Sequence, residues 1–333
     1  MSENEAKNKR ILSGMQPSGR LHLGNYFGAL QNWVRLQNEY ECFYFIADWH
    51  SLTTMYEKPS DINNYTVEMV VDWLSAGLDP ERSVLFAQSY LPEHAELHLI
   101  LSMLVPVSWL ERNPTYKDKQ VEVSKVDMSS YGFLGYPVLQ TADIVLYKAD
   151  IVPVGDDQLP HLELSREIIR RFNNYYGEVF IEPKAQISKV PKLNGLDGRK
   201  MSKSYDNAIY LSDDKRQIQK KIKSMFTDPQ RARREDPGNP DVCNLFPLHK
   251  LYSPKEMQQE IDVECRVAKI GCGDCKLKLI DTMLEGLGPY MERRQEIVAK
   301  PKLVREILDE GNKKAQVVAR DTLKKAKSAM GLT

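Results

Sequence analysis

The sequence predicts an α/β protein in which a doubly wound parallel sheet is accompanied by a smaller all-helical domain. Two observations predict this fold class. In the first half of the chain, short apolar runs alternate with amphipathic helical patterns, which is typical of parallel strands joined by crossover helices. In the second half, only helical patterns broken by Pro and Gly follow.

The predicted strands come first along the chain. Residues 10–15 and 42–47 are short apolar runs that predict buried strands, and residues 84–87 predict a weaker third strand. Amphipathic patterns over residues 25–39 and 62–74 predict the helices between them. This alternation predicts a sheet with helices on both faces.

Helical patterns dominate the rest of the chain. They cover residues 107–112, 138–148 and 159–173, and a loop rich in Gly, Lys and Ser follows over 192–207. Residues 301–330 begin with Pro and predict one long charged helix. The 333 residues correspond to roughly two domains of about 150 residues each.

Composition and charge exclude several classes of protein. Lys and Arg (46) balance Asp and Glu (46), which argues against a globally basic, DNA-binding protein. A local basic stretch remains at residues 215–234, either as a solvated surface or as a nucleic-acid contact. No apolar run approaches the ~18 residues of a membrane helix, and residues 1–10 lack the apolar core of a signal peptide. We therefore expect a cytoplasmic protein without membrane contact.

A glycine-containing segment follows the first predicted strand and opens a helix. Residues 13–26 read SGMQPSGRLHLGNY. Glycines let a ligand approach the backbone closely, and the free N–H groups of a helix start favour an anion. The segment is neither GxGxxG nor a Walker A loop. It predicts a phosphate site at the carboxyl edge of the sheet, with an ordinary strand-to-helix turn as the alternative.

A second segment, KMSKS at residues 200–204, lies in the Gly-, Lys- and Ser-rich loop. Taken together, the two segments are specific. PSGxxHLGN resembles the HIGH signature of class I aminoacyl-tRNA synthetases, and KMSKS matches the second signature of that class letter for letter. Residues 135–144 and 150–158 extend the resemblance, so that the chain resembles the bacterial tryptophanyl-tRNA synthetases over nearly its whole length.

The resemblance implies a Rossmann-like catalytic domain and an enzyme that ligates L-tryptophan to tRNA(Trp) through a tryptophanyl-adenylate. Mg²⁺ would accompany ATP, held largely by phosphate oxygens and water. A homodimer is also implied, with its contact surface on helices between residues 107 and 171. The alternatives are a tyrosine-specific class I synthetase and a non-catalytic synthetase paralogue.

The same resemblance assigns the amino-acid pocket. Asp143 would accept a hydrogen bond from the indole N–H of tryptophan, a group that can only donate. Leu12 stands where tyrosine-specific relatives place a Tyr hydroxyl, so its apolar side chain favours tryptophan. The other matching positions are His50, Tyr136, Gln140, Val152, Val154 and Gln158; Gln140 departs from family members that carry Met.

The implied catalytic residues stabilise charge on the phosphates, because the reaction needs no protein nucleophile. They are Lys200, Lys203, Lys119, His22 and Asn25. The implied ATP-binding residues are Gln16, Ser18, Gly19, His22, Gly24, Asn25, Asp157, Lys200, Met201, Ser202, Lys203 and Ser204.

Four of the five cysteines lie within 33 positions, at Cys243, Cys265, Cys272 and Cys275. Soft thiolates at such spacing suggest an iron–sulfur cluster or Zn²⁺. The spacing fits neither the common ferredoxin runs nor a zinc ribbon. It resembles a subset of tryptophanyl-tRNA synthetases that hold a [4Fe–4S] cluster in the helical domain. A structural [4Fe–4S] cluster is therefore expected, with Zn²⁺ and free thiols as alternatives.

The expected domains follow from these assignments. Residues 1–206 with 304–333 would form the catalytic domain, including an insertion for the dimer interface. Residues 207–303 would form a helical domain that recognises the anticodon and carries the cysteines. The sequence HAELH at residues 94–98 places two histidines at i and i+4 but is not the HExxH zinc motif, so an exposed helix face is expected there.

Overall fold

Five parallel strands form the centre of the protein. The computed structural model describes residues 9–114, 130–187 and 193–332. The strands are β1 (Arg10–Met15), β2 (Glu41–Ile46), β3 (Ser83–Ala87), β4 (Ile151–Val154) and β5 (Lys184–Ile187). Their order across the sheet is β3-β2-β1-β4-β5, and every neighbouring pair is parallel. The predicted fold class is confirmed.

Helices cover both faces of the sheet and make up the second half of the chain. Helix α1 combines Leu23–Asn25, a π-helical turn at Tyr26–Leu30 and Gln31–Leu36. The other helices are α2 (Asp48–Met55), α3 (Ser60–Ala76), α4 (Glu93–Ser102), α5 (Val107–Glu111), α6 (Tyr131–Leu146), α7 (Leu159–Tyr176), α8 (Lys215–Ser224), α9 (Phe246–Tyr252), α10 (Lys255–Arg266), α11 (Cys272–Val298) and α12 (Pro301–Ala329). Short 3₁₀ turns lie at Gln88–Tyr90, Asp156–Gln158 and Lys203–Tyr205. None of these helices combines the length and apolarity that crossing a bilayer requires.

Alternating side chains of the central strands build two cores, one on each face of the sheet. Ile11, Tyr44 and Ile46 belong to one buried cluster, and Leu12 and Phe43 belong to the other. Because successive side chains point to opposite faces, a strand buried on both sides must be apolar almost throughout. This is the reason that β2 reads as a continuous apolar run.

Strands β4 and β5 were not predicted from the sequence. β4 has only four residues, and one of them is Pro153, which has no N–H to donate to a neighbouring strand. β5 lies at the edge of the sheet, where Lys184 and Ile187 are exposed. Neither segment therefore forms the apolar run that signals a strand, whereas β1, β2 and β3 begin and end within one residue of the prediction.

The last helix, α12, packs along β3 at the other edge of the sheet. The Asn312 Oδ1 atom accepts a hydrogen bond from the Ala87 N–H at 3.0 Å. A Cβ atom on Gly311 would lie 1.7 Å from the carbonyl oxygen of Leu85, so this close approach requires glycine. Helix α12 thus shields an edge strand that could otherwise pair with another chain.

Candidate functional site

A cavity of about 320 Å³ opens at the carboxyl ends of β1 and β4. These strands are neighbours, although the chain runs from β1 through β2 and β3 before it crosses to β4. Such a reversal of strand order is the place where open α/β sheets bind ligands. β1 and β4 share only the register pair Ile11↔Ile151, whereas β1 and β2 pair along their whole length. The separation of β1 from β4 leaves the space for the cavity.

The structure brings the predicted tryptophan-binding residues together around this one cavity. Its lining includes Leu12, His50, Tyr136, Gln140, Asp143, Val152, Val154 and Gln158, and also the predicted ATP-binding residue Gln16. Leu12 comes from β1, Val152 and Val154 from β4, and Asp143 from α6. Their placement supports a common site, while the role of each residue stays a prediction.

Asp143 is the buried charge of the cavity, with only 1% of its surface exposed. His50 Nε2 lies 2.7 Å from its Oδ2 atom. Burial alone would raise the pKa of Asp143, but the charge interaction with His50 and the hydrogen bonds from His50 and His94 outweigh it and lower the pKa to about 2. The carboxylate is therefore ionised at neutral pH and can only accept hydrogen bonds.

Two residues that hold Asp143 were missed by the sequence analysis. Gln88 Nε2 donates to the Asp143 Oδ1 atom at 2.7 Å, and His94 Nδ1 lies 2.7 Å from the same oxygen. The expectation of an exposed helix face at residues 94–98 is wrong for His94, which is 0% exposed because α4 packs on α6. A signal for Gln88 was available, since it directly follows β3 at the carboxyl edge of the sheet.

The opposite side of the cavity is polar. The Tyr136 hydroxyl forms a hydrogen bond with His161 Nε2, and His161 also lines the cavity although the sequence analysis did not select it. Gln158 Nε2 donates to the Asp157 Oδ2 atom at 3.1 Å. Asp157 itself is exposed beside the cavity. These groups could hold the polar part of a ligand whose apolar part faces Leu12.

The start of α1 presents His22 and Asn25 next to the glycine-containing segment. The Asn25 Oδ1 atom accepts a hydrogen bond from the His22 backbone N–H at 3.0 Å. Burial lowers the pKa of His22 to about 4, and the charge of Lys203 contributes in the same direction. The neutral ring has a buried Nδ1 atom with no hydrogen-bond partner among the described residues. A polar atom in this position is available to a ligand.

The KMSKS loop folds onto the glycine-containing segment, so the two sequence signatures meet in space. Lys203 Nζ donates to the Gly19 carbonyl oxygen at 3.0 Å and to Ser18 Oγ at 3.4 Å. Burial lowers the pKa of Lys203 to about 8, with partial compensation by the charge of Asp72. Met201 is buried and anchors the loop in the core.

The structure says less about four other predicted residues. Lys200 is exposed on the same loop. A Cβ atom on Gly24 would lie 2.8 Å from the His22 ring, so this glycine makes room for the histidine. Lys119 lies outside the described residues, as does the side chain of Ser204.

The four clustered cysteines share one neighbourhood in the helical half. Burial raises the pKa of the Cys275 thiol to about 12, and Cys243, Cys265 and Cys272 each add to this effect. Arg231 Nη1 lies 3.9 Å from Cys265 Sγ and 4.0 Å from Cys272 Sγ. Four soft donors beside a cation suit a thiolate-bound metal chemically. In the part of the chain that the structure describes, however, no group of three or more His, Cys, Asp or Glu side chains is arranged to hold a metal ion.

The basic stretch at residues 215–234 divides into two kinds of side chain. Lys220 and Lys223 are exposed on α8. Lys221 instead contacts the Asp213 carboxylate and the Ala208 carbonyl oxygen. Arg231 turns inward toward the cysteines, so only part of the stretch is available to a polyanion.

The chain is similar to known proteins along nearly its whole length. The family described as "tRNA synthetases class I (W and Y)" matches residues 4–287. The tryptophan–tRNA ligase of Thermotoga maritima is 51% identical over 325 residues, which cover 97% of this chain and 99% of that protein. The tryptophan–tRNA ligase of Aquifex aeolicus is 43% identical, with 97% and 100% covered.

The same similarity extends to a solved structure. The crystal structure of tryptophanyl-tRNA synthetase from Campylobacter jejuni, complexed with ADP and tryptophan, superposes with a TM-score of 0.88 at 37% sequence identity. The superposition covers 97% of this chain and 100% of that one. Both the catalytic signatures and the helical half therefore fall within the region of similarity.

Proposed function

The chain belongs to the bacterial tryptophanyl-tRNA synthetases, a class I family, and on this premise we propose how its residues join L-tryptophan to tRNA(Trp). The reaction depends on ATP and proceeds through a tryptophanyl-adenylate. In the first step the tryptophan carboxylate attacks the α-phosphorus of ATP, and pyrophosphate leaves. In the second step a ribose hydroxyl of the tRNA takes the tryptophanyl group, and AMP leaves.

Tryptophan occupies the cavity between β1 and β4 in this proposal. The observation that carries the assignment is one ionised carboxylate, Asp143, in a cavity that also presents the apolar side chains of Leu12, Val152 and Val154. The indole N–H donates to that carboxylate. Phenylalanine would bury Asp143 without this partner, which is costly, so the site rejects it.

The remaining lining residues complete the amino-acid site. His50 holds Asp143, and Gln140 lies about one turn before Asp143 on α6. Three polar side chains, those of Tyr136, Gln158 and Gln16, bind the amino and carboxylate groups of tryptophan, and Gln16 also belongs to the proposed ATP-binding residues.

Tyrosine is the competing substrate, because related enzymes of the same class activate it. A tyrosine-specific site needs a partner for a phenol hydroxyl. Leu12 has no polar group, is 1% exposed and lines the cavity, so it offers none. This side chain favours the larger apolar surface of the indole.

ATP binds where the two signatures meet, at the start of α1. The ammonium of Lys203 and the ring of His22 stabilise negative charge on the phosphates, together with Asn25, Lys200 and Lys119. Ser18, Gly19 and Gly24 let the phosphates approach the backbone, and Asp157 binds the ribose. Met201, Ser202 and Ser204 belong to the loop that carries the lysines. Mg²⁺ enters with ATP as part of the substrate.

Aminoacylation of purified tRNA(Trp) with labelled tryptophan tests the whole proposal. The unaltered enzyme is expected to charge tRNA(Trp) with tryptophan and to leave tRNA(Tyr) uncharged with tyrosine. Lys203→Ala is expected to lower the single-turnover rate of adenylate formation by ~100-fold, as for the loss of one transition-state contact. An unchanged rate at saturating ATP would remove Lys203 from the mechanism.

A homodimer is proposed through the surface of α5 and α6, which lie within the predicted residues 107–171, together with the neighbouring helix α4. Large apolar side chains are exposed there, namely Leu99, Met103, Val107 and Tyr131. Exposed apolar residues in one region favour association between chains. Met103→Glu is expected to shift the sedimentation of the protein from dimer to monomer, and Val317→Glu on α12 serves as a control at an equally exposed apolar position.

A [4Fe–4S] cluster held by Cys243, Cys265, Cys272 and Cys275 is proposed as a structural element of the helical half. Cys243, Cys265 and Cys272 each raise the pKa of the Cys275 thiol, and this proximity supports the cluster. The nearby cation of Arg231 would offset the negative charge of a thiolate-bound cluster. Such a cluster would crosslink α10 and α11 with the segment that precedes α9. Iron and sulfide analysis of anaerobically purified protein tests this; zinc in place of iron, or no metal at all, would contradict it.

The domain boundaries are proposed as residues 1–206 with 304–333 for catalysis and residues 207–303 for anticodon recognition. The exposed lysines of α8 support a tRNA contact by the second domain. The expected location in the cytoplasm stays a prediction.

A further inference from the structure

The carboxylate of Asp143 is held by more side chains than indole recognition requires. Gln88 and His94 both contact its Oδ1 atom at 2.7 Å, and His50 contacts Oδ2 at 2.7 Å. Gln88 and His94 are 0% exposed. A buried arrangement of this kind fixes both the position of a carboxylate and the direction of each oxygen.

The number of acceptor positions distinguishes the two oxygens. An ionised carboxylate has about four lone-pair sites, two on each oxygen. Gln88 and His94 use both sites on Oδ1, whereas His50 is the partner of Oδ2 among the described residues. The acceptor position that remains for a ligand is therefore on Oδ2.

Tyr147 extends this arrangement behind His94. The Tyr147 Oη atom lies 2.6 Å from His94 Nε2. Burial, followed by the charges of Asp143 and Glu93, raises the pKa of Tyr147 well above its ordinary value, so the hydroxyl keeps its proton. When this hydroxyl donates to Nε2, the ring hydrogen of His94 lies on Nδ1 and donates to Asp143.

We propose that Tyr147 and His94 form a positioning relay that occupies Oδ1 of Asp143 and so presents Oδ2 to the indole N–H. The relay rests on the proposed function, because it acts on the recognition of tryptophan. His94 and Tyr147 are not among the described residues that line the cavity. They are positioning residues that act through Asp143.

The test compares tryptophan with a ligand that cannot use the acceptor. In 3-(benzothiophen-3-yl)alanine a sulfur atom replaces the indole N–H, so its binding does not depend on where Oδ2 points. Tyr147→Phe removes one hydroxyl and keeps the ring that packs on Phe86 with 4.8 Å between ring centroids. We expect kcat/KM for tryptophan in pyrophosphate exchange to fall about tenfold, mainly through KM, as for one weakened hydrogen bond. The inhibition constant of the analogue and KM for ATP are expected to stay unchanged.

Two variants of His94 separate positioning from packing. His94→Asn keeps an N–H donor near the place of Nδ1 and is expected to retain most of the selectivity for tryptophan over the analogue. His94→Leu removes the donor and is expected to lose it.

Tyr44→Phe is the matched control, since it removes a buried hydroxyl that donates to the Trp33 carbonyl oxygen at 3.1 Å and has no contact with Asp143. If Tyr147→Phe weakens both ligands alike, or neither, the relay is wrong. If the unaltered enzyme shows no exchange with tryptophan, the proposed function fails instead.

Discussion

The hydrogen-bond partners of Lys203 compensate its positive charge poorly, and this favours a negatively charged ligand. Its ammonium is directed to the Gly19 carbonyl oxygen and Ser18 Oγ, which are weak partners for a full positive charge. Burial accordingly lowers its pKa to about 8. The phosphates of ATP would supply the missing negative charge, so binding of ATP and protonation of Lys203 favour each other.

The affinity for ATP should therefore depend on pH. Below a pKa of about 8 the lysine is already protonated, whereas above it the binding of ATP must also take up a proton. We expect KM for ATP in pyrophosphate exchange to rise between about pH 7 and about pH 9. Lys203→Arg, whose side chain stays charged over this range, should remove the rise. A flat KM in the unaltered enzyme would show that Lys203 does not meet the phosphates as a cation.

Some residues of the site could be predicted from the sequence, and others could not. Leu12, His50 and Asp143 could be selected as candidates because each matches a position in family motifs near the carboxyl edge of the sheet, and all three line the cavity. His94 could not, because its spacing to His98 is that of one helix face and does not reveal which element covers that face. The burial of His94 follows from the packing of α4 on α6, a contact between segments about 40 residues apart in sequence.

At the scale of elements, Asn207 organises the KMSKS loop. Its Oδ1 atom accepts a hydrogen bond from the Ser202 N–H at 2.9 Å. Its Nδ2 atom donates to Asp197 Oδ1 at 2.8 Å and to the Lys200 carbonyl oxygen at 3.2 Å. Asn207 is 3% exposed, so these bonds fix the loop from its buried side.

Asn207→Ala is expected to loosen the loop without altering the amino-acid pocket. Because the Ser202 N–H and the Lys200 carbonyl oxygen each lose a partly buried hydrogen bond, the change should cost about 1–2 kcal/mol of loop order, roughly a tenfold loss in kcat/KM for ATP. KM for tryptophan should not change, since Asn207 is not among the described residues around the cavity. Steady-state pyrophosphate exchange with each substrate varied in turn measures both effects. Equal losses for the two substrates would indicate a general folding defect and contradict the local role.

The KMSKS motif predicts where the loop lies along the chain but not which residues the loop contacts. The letters KMSKS and their place before the helical domain could be recognised in the sequence. The partner of Lys203 and the position of Asn207 depend on the approach of this loop to α1, about 180 residues earlier in the chain. The sequence alone does not predict a contact between two elements this far apart in the chain.

Asp72 connects the first half of the chain to the helical second half. This residue of α3 accepts hydrogen bonds from Tyr290 Oη at 2.7 Å and from Arg294 Nε at 2.9 Å, both on α11. Its charge also raises the pKa of Lys203 against the larger effect of burial. The contact between α3 and α11 therefore influences the pKa of Lys203, the proposed catalytic lysine.

Removing this charge should move the pH dependence of ATP binding. In Asp72→Asn the negative charge that raises the pKa of Lys203 is absent, so this pKa falls further and KM for ATP should begin to rise at a lower pH than in the unaltered enzyme. Tyr290→Phe removes one hydrogen bond to Asp72 and keeps the charge, so it is the control. An identical pH profile in Asp72→Asn would mean that the two halves are not electrically coupled through this residue.

Binding of tRNA is the second property of the whole molecule. Lys220 and Lys223 are exposed on α8, and each phosphate contact that they make should release a counterion. Changing both to Ala should reduce the slope of log K for tRNA(Trp) against log salt by about one per lysine. Lys324→Ala, an exposed lysine on α12, is the control. An unaltered slope would exclude α8 from the tRNA contact.

In the proposed mechanism, the cavity between β1 and β4 selects tryptophan and the enzyme activates it with ATP. Pyrophosphate exchange without tRNA, compared for tryptophan and tyrosine, tests this most directly. We predict exchange with tryptophan and none with tyrosine. Exchange with tyrosine would mean that the apolar side chain of Leu12 does not set the substrate. If folded protein that still binds tRNA shows no exchange with either amino acid, the proposed catalytic activity is wrong, and a non-catalytic paralogue is favoured.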